Sequence, residues 1–323
     1  MGINFSINRN KRNMSALICG SMAYDTIMVF HDKFKNHILP EKVHMLNVSF
    51  LVPIIRREFG GCAGNIAYNL KLLGEQPKIM ATVGHDFEPY AQWLSQCQIS
   101  DKYIRRLSGQ YTGQAYITTD EDDNQITAFH PGAMNDSHLN TLPLKEEIEI
   151  GIVSPDGKQG MQQHAQEFAD AEIPFIFDPG QGMPMFSGEE LLELLELATW
   201  ATFNDYESEL MQERTGLSLE QIAEKVDALI ITLGGQGSKI YTDGECIDIP
   251  SAKAKQLNDP TGCGDAYRAG LLFGIMNEYD WAATGRIASL LGAMKIEHHG
   301  TQNHQFTMEQ FRERYEESFG EMF

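Results

Sequence analysis

The stretch Asn258-Asp259-Pro260-Thr261-Gly262-Cys263-Gly264-Asp265-Ala266-Tyr267-Arg268-Ala269-Gly270 runs into a long apolar segment through two glycines spaced by one residue. Glycines at such a turn expose backbone N–H groups, and a helix start adds the positive end of its dipole. Together they form an anion site suited to a phosphoryl group in transfer. Asp265 falls in the first predicted turn, where a carboxylate can take a proton from an attacking hydroxyl. An isolated G-x-G-D is more plainly read as a glycine turn with a capping aspartate. What surrounds this helix decides between the two.

Outward from it, short apolar runs alternate with helical patterns. Ala16–Cys19, Lys78–Val83, Ile148–Val153, Pro174–Phe177, Thr199–Phe203 and Leu229–Leu233 read as strands. Most are continuous apolar runs, as expected where a parallel sheet is covered on both faces. Asn65–Leu73 places Ile66, Leu70 and Leu73 on one stripe, with Gly74 as its stop. Gln159–Ala171, Glu189–Leu197, Leu219–Val226, Asp265–Glu278 and Trp281–His298 repeat the helical pattern. The rhythm implies an α/β fold, a three-layer, doubly wound, mostly parallel sheet. Two segments break it. Val43–Phe59 is β-prone, and Tyr111–Phe129 reads as strands Gln114–Thr119 and Gln125–Phe129 around the acidic turn Asp120–Asn124. They predict a small β lid from about 31–58 and 108–130 on a single domain spanning 15–323, behind a disordered extension, 1–14.

With 323 residues the chain can bury a large core without disulfides or structural metals. A net charge of −20 gives it no general attraction for nucleic acid or anionic membrane, so an anionic substrate needs a local device. Cys19, Cys62, Cys97, Cys246 and Cys263 are scattered with no C-x-x-C pair, which points to a reducing compartment. No apolar run approaches a membrane span, and the protein is expected in the cytoplasm. Gly234–Lys239 lacks the Walker pattern, and no G-x-G-x-x-G follows the first strand. His298, His299 and His304 have no carboxylate or Cys at zinc-ligand spacing. Trp93, Trp200 and Trp281 read as core.

The segment around Asp265 resembles the C-terminal signature of the ribokinase-like (PfkB-type) carbohydrate and nucleoside kinase family, D-x-x-G-x-G-D before a helix. Asp259, Gly262, Gly264 and Asp265 match at the right spacing. The resemblance implies Asp265 as catalytic base and the turn Gly262-Cys263-Gly264 as anion hole. Phe59-Gly60-Gly61-Cys62-Ala63-Gly64-Asn65 looks like the family's N-terminal G-G…N signature. Gly60 and Gly61 let a ligand approach the backbone, and Asn65 offers a donor and an acceptor to sugar hydroxyls. Asp25 matches the family aspartate that binds paired hydroxyls.

Three further matches follow in family order. Asn204-Asp205-Tyr206-Glu207 resembles N-x-x-E; Asn204 and Glu207, three apart, are expected on one helical face, Glu207 holding Mg²⁺ through water. Thr232-Leu233-Gly234-Gly235-Gln236-Gly237 resembles the T-x-G-x-x-G phosphate loop. His299-Gly300-Thr301-Gln302 resembles the nucleotide-lining segment of adenosine-kinase relatives. Thr232, Gly234, Gly237, Thr261 and Gly300 are thereby implied in binding ATP, with Asn204 and Glu207. The likeness covers about residues 15 to 305.

It implies an ATP- and Mg²⁺-dependent kinase acting on the 5′-hydroxyl of a nucleoside, closest in look to bacterial adenosine kinases. Phe129, at the end of a lid strand, is expected to stack on the base. Two rivals stand beside this reading: a kinase of free ribose or a ketohexose, and a non-catalytic nucleoside or nucleotide sensor. Retention of Asp265 with both glycines argues against a sensor. Asp178-Pro179-Gly180-Gln181 lacks the Arg of the D-P-N-x-R found in many sugar kinases, which argues against a phosphorylated sugar acceptor. Dependence on K⁺, and pairing of lids into a homodimer, are left open by the sequence.

Overall fold

A computed structural model describes residues 15–38, 47–122, 124–144 and 147–323. The expected extension 1–14 and part of the expected lid segment lie outside the described residues. The strands are β1 (Ala16–Cys19), β2 (Ala23–Val29), β3 (Ile54–Gly60), β4 (Lys78–Gly84), β5 (Ser100–Leu107), β6 (Gly113–Thr119), β7 (Gln125–His130), β8 (Ile150–Val153), β9 (Phe175–Phe177), β10 (Trp200–Asn204), β11 (Ala228–Thr232), β12 (Ser238–Thr242) and β13 (Glu245–Ile249). The α-helices are α1 (Cys62–Leu72), α2 (Glu88–Gln96), α3 (Lys158–Asp170), α4 (Gly188–Leu197), α5 (Asp205–Thr215), α6 (Leu219–Ala223), α7 (Cys263–Met276), α8 (Trp281–Ile296) and α9 (Met308–Phe319).

The main sheet has nine strands in the order β13-β12-β11-β10-β9-β8-β1-β4-β5. From β5 to β11 every pairing is parallel, and β12 and β13 add an antiparallel edge hairpin. Strand β1 shows why continuous apolar runs belong here. Ala16 and Ile18 enter the core on one face of the sheet, Leu17 and Cys19 the core on the other. All four are essentially inaccessible to water. From β1 the chain builds toward β4 and β5 on one side, and later from β8 toward β11 on the other. The crevice beyond β1 and β8 is therefore the topological switch point, where open α/β sheets place their ligands.

The lid is a second, four-stranded sheet in the order β3-β2-β6-β7. The two insertions supply β3, β6 and β7, as the sequence predicts. Its remaining strand, β2, follows β1 after only Gly20-Ser21-Met22 and pairs with both β3 and β6. The acidic turn folds around one side chain: Asp120 accepts hydrogen bonds from the backbone N–H groups of Asp122 and Asn124 and from Phe34 across the lid. Among the described residues no helix is long and apolar enough to cross a membrane.

Candidate active site

Two glycines lock the lid to the main sheet. Gly61 has φ +87°, and a Cβ there would lie 2.6 Å from the Ala23 nitrogen and the Ser21 carbonyl oxygen. At Gly60, opposite Ala23 in the lid register, a Cβ would lie 2.5 Å from the Asp25 carboxylate. The G-G pair thus brings the start of α1 against Ser21–Ala23 and leaves room for the Asp25 side chain. Burial, with repulsion from Glu58 and Asp259, pushes the Asp25 carboxyl up to about 6.

The first turn of α7 opens at Gly262, whose φ is +79° and which has no side chain to occupy the leading amides. The sharp stop before it is held by Asp259, which accepts from the backbone N–H groups of Thr261 and Gly300, both at 2.9 Å. The buried Lys295 ammonium donates to the Asp259 carbonyl at 2.7 Å. Asp265 accepts a hydrogen bond from Asn65 Nδ2 at 2.8 Å. Burial raises its carboxyl to about 6, opposed by the Asn65 bond and by Arg268. The Cys263 thiol, pushed by burial to about 11, stays protonated at neutral pH and is no nucleophile.

This turn faces two cavities. One, about 540 Å³, lies beneath the lid at the switch point and is lined by Asp25, Gly61, Asn65, Thr261, Gly262 and Asp265, with Ala115, Ile117 and Phe129 from the lid. The other, about 610 Å³, lies across the turn and is lined by Thr232, Gly234, Gly237, Cys263, Gly264 and Tyr267. Each has the volume of a small-molecule site. Phe129 is 52% exposed, its ring on an open wall.

Three predicted nucleotide residues line neither cavity. Asn204 and Glu207 do not share a helical face; Asn204 precedes α5 as its N-cap. Its Oδ1 accepts from the Glu207 N–H at 2.7 Å, and Glu207 Oε2 accepts from the Asn204 N–H at 2.8 Å. This is a capping box, which the N-x-x-E spacing also encodes. Gly300 is held by Asp259 with its α-carbon against Asn303 and Glu58. Gln302, two residues on, turns to the acceptor side instead of the nucleotide: its amide bonds Asn65 Oδ1, Tyr90 and Trp93.

Sequence reasoning passed over three side chains here. Asp156, after β8, lines the lid-covered cavity, and burial raises its carboxyl to about 8. Arg268, one turn past Asp265, makes a bidentate pair with Asp178 (3.1 and 2.9 Å) and lies 3.9 Å from Glu207. An arginine in an apolar helix is a visible signal, since a buried cation requires a partner. Trp93, read as core, donates its indole N–H to Gln302.

Similarities to known proteins fall on this geometry. The chain is 34% identical over 279 residues to the nucleoside kinase of Methanocaldococcus jannaschii, covering 85% of this chain and 91% of that protein. Its fold superposes with a TM-score of 0.86 on the Burkholderia thailandensis nucleoside kinase in complex with inosine, at 50% identity, over 95% of this chain and 99% of that one. A structure of the same enzyme with ADP-inosine gives 0.84 at 52% identity, over 95% and 97%. Residues 22–307 match the pfkB family carbohydrate kinases, and with the α7 turn set between two cavities the chain belongs to that family.

Proposed function

We propose that this chain transfers the γ-phosphoryl group of ATP to the 5′-hydroxyl of a nucleoside. One observation carries the reading: the turn Thr261–Asp265 separates and lines two cavities of nucleoside and nucleotide size. The relatives named as nucleoside kinases, one of them in complex with inosine, support the acceptor.

In this reading the ribose lies against Asp25 and Asn65 and the base beneath Phe129. Asp265 accepts the 5′-hydroxyl proton as that oxygen bonds to the γ-phosphorus and the bond to ADP breaks. A carboxyl near 6 is ionised at neutral pH yet basic enough for this task. The backbone amides at Gly262–Gly264 hold the transferring oxygens, where the helix dipole favours negative charge. Among the described residues no three His, Cys, Asp or Glu are grouped to hold a metal. That fits Mg²⁺, which keeps most of its waters and needs few protein carboxylates. Glu207, one carboxylate oxygen of which accepts from the Asn204 N–H, would hold the ion at a distance, through a water on its other oxygen. When bound, the ion neutralises phosphate charge. The lid edges expose Ile54, Ile55 and Ile126, which supports pairing of two copies through the lid.

A panel of inosine, adenosine, cytidine, free ribose and fructose with ATP, assayed for ADP release, tests the proposal. A nucleoside exceeding both sugars by at least a hundredfold in kcat/KM is expected. Faster turnover of a free sugar overturns the acceptor, and no turnover with any overturns the activity.

A further inference from the structure

The Asn65 amide meets Asp265 with its nitrogen, and nothing in Asn65 itself dictates that orientation. An amide turned by 180° has nearly the same shape and presents oxygen where it had N–H. We infer that Gln302 is a positioning residue for the transfer step, setting which end of Asn65 faces Asp265, and that Trp93 and Tyr90 set Gln302 in turn. The inference rests on the reading of Asp265 as the base.

The polarity follows from one group with no choice and a second whose proton is already committed. The Trp93 indole can only donate, and its N–H lies 2.8 Å from Gln302 Oε1. The Tyr90 hydroxyl has one proton and donates it to the Gly60 carbonyl at 2.9 Å, so toward Gln302 Nε2, at 2.6 Å, it accepts. Both constraints turn the Gln302 nitrogen inward. That nitrogen then donates to Asn65 Oδ1 at 2.9 Å, which leaves Asn65 Nδ2 to donate to Asp265. Reversing Asn65 would set oxygen against carboxylate and N–H against N–H. Gln302 is 2% exposed and Tyr90 fully buried, so water cannot repair the mismatch. Gly64 gives the chain its space: a Cβ there would meet the Tyr90 hydroxyl at 2.0 Å.

The N–H on Asp265 favours its ionised, proton-accepting form against burial. The other groups facing Asp265 are Arg268 and Cys263 on α7, Cys62 on α1, Tyr90 on α2, Lys295 on α8 and Asp178 after β9. A neutral substitution at position 302 alters no charge among them. Gln302→Met keeps the volume and releases Asn65. The pH profile of the single-turnover rate, with saturating nucleoside and MgATP, should then show its acid limb moved up by about one to two pH units. The rate should fall about threefold to twenty-five-fold at pH 6.5 and recover most of its wild-type value by pH 9, with acceptor KM changed less than threefold. Trp93→Phe keeps an aromatic side chain but removes the indole N–H together with part of the ring; it should move the limb the same way by a smaller amount.

A folded Gln302→Met with its acid limb at the wild-type position overturns the inference. Should that variant fail to fold, Trp93→Phe decides alone: a moved limb supports the chain of control, and an unmoved one overturns it. Asp265→Asn runs in parallel. If it is inactive while the limb stays put, only this inference falls. If it turns over normally, the base assignment falls as well.

Discussion

Replacing Asp265 by Asn exchanges one oxygen for an amide nitrogen and removes a charge, while the remaining oxygen, with the amide turned, can accept from Asn65 where Asp265 Oδ2 does now. The N-terminal turn of α7 keeps its shape, since Gly262 caps it without using the Asp265 side chain. What is lost is the proton acceptor, which typically contributes about 10²–10⁴-fold, or about 3–5 kcal/mol of barrier. Stability should move the other way. Burial raises this carboxyl from 3.8 to about 6, so the folded state holds the proton more tightly than the unfolded chain. Between those two values the folded state loses stability as pH rises, and above 6 the cost of the ionised group is complete. At 1.36 kcal/mol per tenfold it amounts to about 3 kcal/mol. Asp265→Asn should therefore lower kcat by at least a hundredfold and raise the ligand-free thermal midpoint at pH 8. That gain should shrink toward zero as pH falls from 6 to 4. Turnover comes from coupled ADP release and stability from calorimetry across pH. A folded variant with wild-type kcat refutes the reasoning, and a slow one whose gain in midpoint over the wild type is no larger at pH 8 than at pH 4 refutes its electrostatic half.

Asp25 also titrates near 6, so kcat/KM of the native enzyme should fall below pH 6 with a slope approaching two. Asp25→Asn should reduce that slope to one while raising acceptor KM, and a profile of unit slope in the native enzyme contradicts the pairing. Phe129→Ala should raise nucleoside KM by the equivalent of about 1–3 kcal/mol, the scale of base stacking on aromatic side chains, with no change in thermal midpoint because the ring is half exposed; an unchanged KM assigns the ring to the lid alone. Arg268→Met strands the buried Asp178 carboxylate and should cost about 3–5 kcal/mol in urea unfolding. Adding Asp178→Leu should recover most of that, and a single variant losing less than 1 kcal/mol shows that the pair is not needed.

The architecture was legible where one physical cause acts over a short window. Strands covered on both faces are continuous apolar runs, and β1, β4, β8, β10 and β11 lie within a residue or two of the predicted spans. Where two sheets meet, that signal disappears. In β2, Ala23–Val29, Ala23, Tyr24 and Thr26 are buried while Asp25, Ile27, Met28 and Val29 are only partly covered, so neither alternation nor a continuous apolar run results. Its three-residue separation from β1 carries no hairpin turn, because the chain leaves one sheet for the other. The β12–β13 hairpin is a different case. Asp243-Gly244, both at positive φ, is a D-G turn, a signal carried by two adjacent residues of the sequence.

The candidate site divides along the same line. Gly61, Asn65, Gly262 and Asp265 come from two local motifs, each forced by backbone geometry at a helix start, and both meet at one cavity. The N-x-x-E spacing admits a metal-water face and a capping box alike, and only coordinates show that the side chains are turned on each other's amides. The Trp93–Gln302–Asn65–Asp265 chain has no local trace. Trp93 and Gln302 stand 209 residues apart, and Asn65 and Asp265 are separated by 200. Each residue has a bland reading by itself: an aromatic stripe, a polar loop, a helix N-terminus, a cap. Their joint meaning rests on the fact that an indole can only donate, a property that is written in residue 93 and has force only once α2, α1, α7 and the Gly300–Gln302 loop converge. Function that depends on the direction of a hydrogen bond is therefore the part of this molecule that sequence hides longest, because reversing an amide changes no composition, no periodicity and almost no shape.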